Sequence, residues 1–250
     1  MTFRSLLKPP DQARYLLWHA TGRRRPFTFI LKSGLHIGIR KPDDKANDFG
    51  VFYEVFVERC YAVPASLATR IPGSVRSILD LGSNCGVSLL WWHLHYPDAD
   101  ILGFEAHPAN AAAAQANIDR NRAGLRITLR AEAVGATHGR VRLSDRGAGA
   151  SMFYRNAPNY LEVPMVDLFA AIAGRRFDLL KIDIEGAEFA LLDDPRFDDL
   201  APPALVMEWH EVGRPGAQAY VHERLSALGY DVQDVMTVPN DHGVLWAVRS

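Results

Sequence analysis

Two cysteines, Cys60 and Cys85, in 250 residues leave no room for a disulfide framework. So little cysteine fits a reducing cytoplasm, which is the expected location. Long apolar runs are missing: nothing approaches the roughly eighteen residues a membrane helix needs, so no membrane partner is expected. The stretch from Met1 to Pro10 lacks the apolar core of a signal peptide. Charge of one sign is missing too, because 28 Lys and Arg face 29 Asp and Glu, for a formal net charge of -1. A nearly neutral chain has no broad electrostatic footprint for nucleic acid, and none is expected as a partner. The short cluster Arg23-Arg24-Arg25 reads as a solvated loop. There is no internal repeat and, apart from the alanine-rich stretch 109–116, no low-complexity tract.

What is present is ordinary for a soluble globular chain: 48% apolar and 23% charged residues, enough for one large domain. The organising stretch is Ser77 to Leu90, where an apolar run ends in Asp80, a turn carries Gly82 and Gly86, and a helix-like apolar segment follows. A strand, a tight turn and a helix open a nucleotide-type site at the edge of a parallel sheet. The dinucleotide pattern G-x-G-x-x-G fails here, because Asn84 and Val87 hold two of its glycine positions. That disfavours an NAD-linked enzyme. A second acid is expected about 20 residues on, at the end of the next strand, to hold ribose hydroxyls. Glu105 stands at that place.

Residues 1–60 read as an N-terminal α/β cap packed on a core formed by residues 61–250. In the cap, Gln12 to Ala20 reads as a helix, 27–31 and 35–39 as a hairpin, and Asp48 to Tyr61 as a one-sided helix with Asp48 as its N-cap. Strands are then predicted at 77–81, 100–105, 126–130, 178–183, 204–210, 231–236 and 243–248. Helices are predicted at 86–95, 108–122, 186–192 and 216–228. The segment 139–167 reads as short β-like pieces off the main sheet. Alternating β and α units imply a mostly parallel sheet with helices on both faces. Four strands end in Asp80, Glu105, Asp183 and the Glu208/His210 pair. Ligands of such sheets lie outside the carboxyl ends of the strands, so these acids gather at one edge.

Four blocks together resemble the FkbM family of methyltransferases: Asp80-Leu-Gly-Ser-Asn-Cys-Gly86, Phe104-Glu105-Ala-His-Pro108, Leu180-Lys-Ile-Asp183-Ile-Glu185-Gly-Ala-Glu188 and Met207-Glu208-Trp-His210. The resemblance covers roughly residues 48–210. It implies the class I methyltransferase (Rossmann-like) fold, a seven-stranded, mostly parallel sheet with a last antiparallel strand, and S-adenosylmethionine-dependent O-methyl transfer. By the same resemblance, Asp80, Gly82, Ser83, Asn84 and Gly86 line the methionine end of S-adenosyl-L-methionine. Glu105 with Ala106 holds the ribose, Glu132 with Ala133 lies by the adenine, and Asp183 sits beside the sulfonium.

Methyl transfer to an alcohol needs a base in the transition state. His210 is the first candidate by its resting pKa, with Asp183 and Glu208 as alternatives. An Asp/Glu/His set could also hold a divalent cation, Mn²⁺, Fe²⁺ or Zn²⁺ in preference to Mg²⁺. No tight ligand spacing supports one, so metal is not favoured. Glu188 reads as a helix-surface or local salt-bridge residue, and Trp91 and Trp92 as core. The expected partner is a small-molecule or glycan hydroxyl acceptor, and homo-oligomerisation is left open. Two other readings stand beside this one: methyl transfer to nitrogen or a macromolecule, and a cofactor-binding module without catalysis.

Overall fold

A computed structural model describes residues 3–22, 25–41, 47–145 and 159–249. Helices α1 (Phe3–Leu6) and α2 (Pro9–Ala20) precede a hairpin of β1 (Phe27–Ile30) and β2 (His36–Ile39). Helix α3 (Asp48–Phe52) runs directly into a π-helical turn, Tyr53–Glu58. Then come β3 (Ser77–Leu81), α4 (Val87–His95), β4 (Asp100–Phe104), α5 (Pro108–Arg120) and β5 (Ile127–Arg130). Strands β6 (Ala133–Gly135), β7 (Gly139–Ser144) and β8 (Tyr160–Asp167) follow, then α6 (Leu168–Ala171). The chain closes with β9 (Leu179–Ile182), α7 (Glu188–Leu192), α8 (Arg196–Leu200), β10 (Ala204–His210), α9 (Ala217–Ala227), β11 (Tyr230–Val238) and β12 (His242–Arg249).

Seven strands form one sheet in the order β11-β12-β10-β9-β3-β4-β5. Strand β12 is antiparallel to both its neighbours, and the pairs β10/β9, β9/β3, β3/β4 and β4/β5 are parallel. The chain builds outward from β3 through β4 and β5, then returns to the other side of β3 with β9 and β10. That reversal makes the β3 end the place where a crevice opens. Strands β6, β8 and β7 form a separate three-stranded sheet, longer than the short pieces expected from the sequence.

Each face of the main sheet carries its own apolar cluster, as the period-2 alternation of a strand requires. Ile78 and Ile101 point into one, Leu79 and Leu102 into the other. Leu7, Trp18, Phe29, Phe52 and Phe56 belong to the same cluster as Ile78 and Trp91, so the N-terminal elements and the sheet share one continuous core. The hairpin docks through amides. Asn117, fully buried on α5, accepts from the Gly38 N–H at 2.7 Å and donates to the Gly38 carbonyl at 3.1 Å. One helical turn on, Asn121 brackets His36 in the same way, at 2.8 and 2.7 Å. Two side-chain amides thus satisfy a strand edge that would otherwise be buried without partners.

Three local expectations change. Asn47, not Asp48, caps α3 by accepting from the Gly50 N–H. Asp48 is instead buried and salt-bridged to Arg40 at 2.6 Å. The expected helix to Tyr61 widens into the π-turn and stops where Arg59 turns left-handed at φ 62°. Of the basic cluster, Arg23 and Arg24 lie outside the described residues, as does the 146–158 part of the segment between β7 and β8.

Candidate functional site

The turn after β3 is built by its backbone. The N–H groups of Gly82 and Ser83 both donate to the Phe104 carbonyl at 2.9 Å, which ties the turn to the end of β4. Gly82 takes φ 83°, and a Cβ there would lie 1.7 Å from the Asp183 carbonyl oxygen, so the turn crosses the end of β9 at a distance only glycine allows. Gly86 takes φ 81°, and its Cβ would press on Ala114 of α5 at 2.8 Å. This second glycine serves helix packing and lies away from the cleft described below.

Asp80 also departs from expectation. Its carboxylate is fully buried and spent on the protein: it accepts from Ser83 Oγ at 3.0 Å and from Trp92 Nε1 at 2.7 Å, with Lys181 Nζ 3.8 Å away. It fixes the turn from behind. Trp92, read as core, is core and also the donor that orients this acid.

Two arms of one cleft cross the carboxyl ends of the strands, and they share Gly82, Asn84, Asp183 and Glu185. The narrower arm, about 620 Å³ including space open to solvent, is lined by Glu105, Ala106, Glu132, Ala133 and Val134 among others. Glu105 is 8% exposed. One of its oxygens accepts from the Asn84 N–H and the other from the His107 N–H, both at 2.8 Å. Burial raises its pKa, and those two bonds oppose the rise. Glu132 holds Arg130 at 2.6 Å.

The wider arm, about 1100 Å³ and open to solvent, is walled by the π-turn through Glu54, Val55 and Glu58. Tyr61, Ser83, Glu208, Met236 and His242 complete it. A π-turn splays side chains off the regular helical spacing and recurs at functional sites.

Between the arms sits a charged group that the strand ends assemble. Lys181 is 1% exposed; its ammonium donates to the Leu81 and Gly82 carbonyls, lies 3.2 Å from Asp183 Oδ2, and rests over the Tyr61 ring. Burial alone would lower its pKa, but the charges of Asp183 and Asp80 outweigh that and raise it. For Asp183, burial pushes the pKa up; Lys181, His210 and the Tyr61 hydroxyl at 3.0 Å pull it net below the usual range. Burial and the Asp183 charge push Glu185 up to about 8 and Glu208 well above the ordinary carboxylate range. Glu185 also holds a left-handed φ of 55°, which costs a non-glycine residue on the order of 1–3 kcal/mol.

His210 differs most from its expected part. Its Nδ1 faces Glu188 Oε1 at 3.0 Å, while Nε2 lies 3.6 Å from Glu208 and 3.7 Å from Glu185. Burial would lower its pKa; the Glu188 hydrogen bond and the surrounding carboxylates overcome that and carry it to about 10. The surrounding carboxylates favour the imidazolium in the absence of a ligand, a form that does not accept a proton, which argues against His210 as the general base. Glu188 is not on the surface either. It is fully buried, and the same oxygen that meets His210 accepts from the Ile184 and Gly186 N–H groups. Asp183 does not cap α7; Glu188 ties down the loop before that helix instead. Lys181 and Glu188 stand inside the Leu180–Glu188 block, so their presence was visible in the sequence, but their partners come from β3 and β10.

Residues 80–234 match the methyltransferase FkbM domain. The chain belongs to the FkbM methyltransferase family. A stretch of 77 residues is 35% identical to the 31-O-demethyl-FK506 methyltransferase FkbM of Streptomyces tacrolimicus, covering 31% of this chain and 28% of that relative. The match therefore spans less than a third of the curated relative. Among solved structures, magnesium protoporphyrin IX methyltransferase from Synechocystis PCC 6803, with bound SAH, is 17% identical with a TM-score of 0.49, over 84% of this chain and 90% of that one. A putative O-methyltransferase from Klebsiella pneumoniae is 18% identical with a TM-score of 0.44, over 88% and 86%. In this FkbM-family chain the sheet order and the antiparallel β12 are those of the class I methyltransferase fold expected from the sequence. Of the matched domain's acids, Glu105, Glu132, Asp183, Glu185 and Glu208 line the cleft, and Asp80 stands behind it.

Proposed function

We propose that this chain is an S-adenosylmethionine-dependent O-methyltransferase acting on a hydroxyl of a small metabolite or sugar. The observation that carries the reading is Glu105. A carboxylate has about four lone-pair sites. Two are used by the Asn84 and His107 N–H groups, which aim the group, and one remains on each oxygen. That is an acceptor pair for the two hydroxyls of a cis-diol, at the mouth of a slot with backbone and apolar walls. A ribose with an attached base fits this slot without a phosphate cradle.

In this reading Gly82, Ser83 and Asn84 lie along the methionine end, with Glu105 and Ala106 at the ribose and Glu132 and Ala133 beside the adenine. S-adenosylmethionine, when bound, supplies a methyl group already activated for displacement. Everything else falls to the protein. Asp183, held ionised by Lys181, puts negative potential where the two arms join. The wider arm takes the acceptor. Glu208 lines that arm and, in its ionised form, is the group placed to accept the hydroxyl proton; its raised pKa makes that carboxylate a stronger base, and position is the first requirement of a general base.

Calorimetric titration with S-adenosylhomocysteine, with NAD as control, tests the cofactor. Micromolar binding is expected, with a loss of at least tenfold in Glu105→Ala while the melting curve shows a folded protein. Undiminished binding in that variant would move the ribose elsewhere, and no binding by the parent protein would sink the assignment.

A further inference from the structure

We propose that Asp183, Glu185 and His210 form a site for one divalent transition-metal ion of the Mn²⁺, Fe²⁺ or Zn²⁺ class, opening onto the wider arm of the cleft. One ligand atom from each of the three lies within 4.8 Å of the others. Ligands about 2.1 Å from one ion stand roughly 3 to 4.3 Å apart, so the set closes on an ion with side-chain shifts of a few tenths of an ångström.

The histidine separates this cluster from an ordinary group of acids. His210 is 8% exposed, and its hydrogen bond to Glu188 is made by Nδ1, which leaves Nε2 facing the other carboxylates. The nearest oxygens, on Glu208 and Glu185, stand at 3.6 and 3.7 Å, beyond hydrogen-bonding range. The ring cannot swing away, because Nδ1 is fixed at 3.0 Å by Glu188, itself fully buried and locked by two backbone N–H groups. A carboxylate behind a histidine whose other nitrogen points into a ligand set is the support that metal-binding imidazoles have. Asp183 is likewise oriented, since Tyr61 and Lys181 both engage its Oδ2.

Charge points the same way. Asp183, Glu185, Glu188 and Glu208 gather around His210, with His242 3.8 Å from Glu208, and the lysine between Asp80 and Asp183 serves two acids. A mixed carboxylate and imidazole set suits Mn²⁺, Fe²⁺ or Zn²⁺ better than Mg²⁺ or Ca²⁺. Three protein ligands leave open positions, as in sites that also bind a substrate atom. Linear spacing hides such a site, because β9, the strained loop after it and β10 each supply one ligand. The binding claim does not rest on the methyl-transfer reading. Where that reading also holds, an acceptor hydroxyl on the ion becomes more acidic beside Glu208.

The test uses the protein stripped with EDTA and titrated with Mn²⁺ at pH 8, where ligand protons compete less than at neutral pH. Free Mn²⁺ is followed by electron paramagnetic resonance and heat by calorimetry, with no cofactor or acceptor present. About one ion per chain with micromolar affinity is expected. His210→Ala should weaken binding at least a hundredfold, and Glu188→Gln about 10- to 100-fold. Glu162→Gln, on the surface of β8, should leave it unchanged. If His210→Ala does not fold by circular dichroism, Glu185→Gln takes its place with the same expected loss. No Mn²⁺ or Zn²⁺ bound at millimolar concentration, or binding that survives the ligand substitutions, overturns the site. Because the readout is the ion alone, this failure is distinct from a failure to bind S-adenosylhomocysteine.

Discussion

At the scale of single residues, position and role separate. Asp80, Glu105, Asp183, Glu208 and His210 could all be placed at strand ends from the sequence, because strand length and alternation put them there. Which of them meets a ligand depends on partners far along the chain. Trp92 and Ser83 turn Asp80 inward, and neither pairing follows from residue type. Glu188 holds His210 Nδ1 and favours the cationic form of the ring, and a glutamate at the first position of a short helix gives no sign of doing so. Under the proposed function, proton abstraction falls to Glu208. Glu208→Gln is expected to lower kcat by about 10² to 10⁴ while S-adenosylhomocysteine affinity stays within about twofold. Single-turnover kinetics beside a binding isotherm check this, and an unchanged kcat would return the base to Asp183 or to solvent.

At the scale of elements, the main strands and the longer helices were readable because each has a strong period and a clear stop. The π-turn was not. It has the composition of an ordinary one-sided helix, and its extra residue per turn reflects packing of Phe52, Val55 and Phe56 against α4 and the hairpin. Strand β6 and helices α6 and α8 are three to five residues long, too short for a periodic signal. One junction of such short pieces is held by charge. Arg196, on α8, reaches Asp167 and Asp194 at 2.7 Å each, and the Ala136 carbonyl at 2.7 Å. Its hydrogen bonds hold Asp194 down to about 2 and Asp167 below the usual range. Both acids therefore bind protons more weakly folded than unfolded, so their contribution is present above about pH 4 and is lost as pH falls through the folded values. Arg196→Ala should be less stable than the parent at pH 7, and the gap should close between about pH 4 and pH 2. Urea titrations across that range check it; a gap independent of pH would show that the arginine acts by packing alone.

At the scale of the whole molecule, a mostly parallel sheet covered on both faces followed from alternating βα units, and the class I fold followed from the family resemblance, while the strand order itself comes from the structure. How the first sixty residues meet the sheet was not legible either, because that contact runs through buried aromatics and two asparagines, none of which forms a motif. Phe29, Phe52 and Phe56 stack in succession and end edge-on against Trp91 of α4. A chain beginning at residue 48 would expose that row, and large exposed apolar patches drive aggregation. Such a truncation is expected to lose its cooperative thermal transition and precipitate; a soluble protein with an intact transition would show that the sheet carries its own core.

The wall of the wider arm has a consequence of another kind. Beyond the floor that this arm shares with the narrower one, its wall comes from the π-turn before the first strand of the main sheet and from the β11–β12 hairpin, through Glu54, Val55, Met236 and His242. The narrower arm is supplied from the middle, through Glu105, Glu132 and Ala133. Inheritance can therefore act on the two arms separately. Under the proposed function, exchange of the segments before and after the central stretch between relatives would alter what is modified, while the central stretch that handles the donor passes on untouched. A lineage built this way can diversify its acceptors by recombination at its ends, without relearning how to hold its reagent.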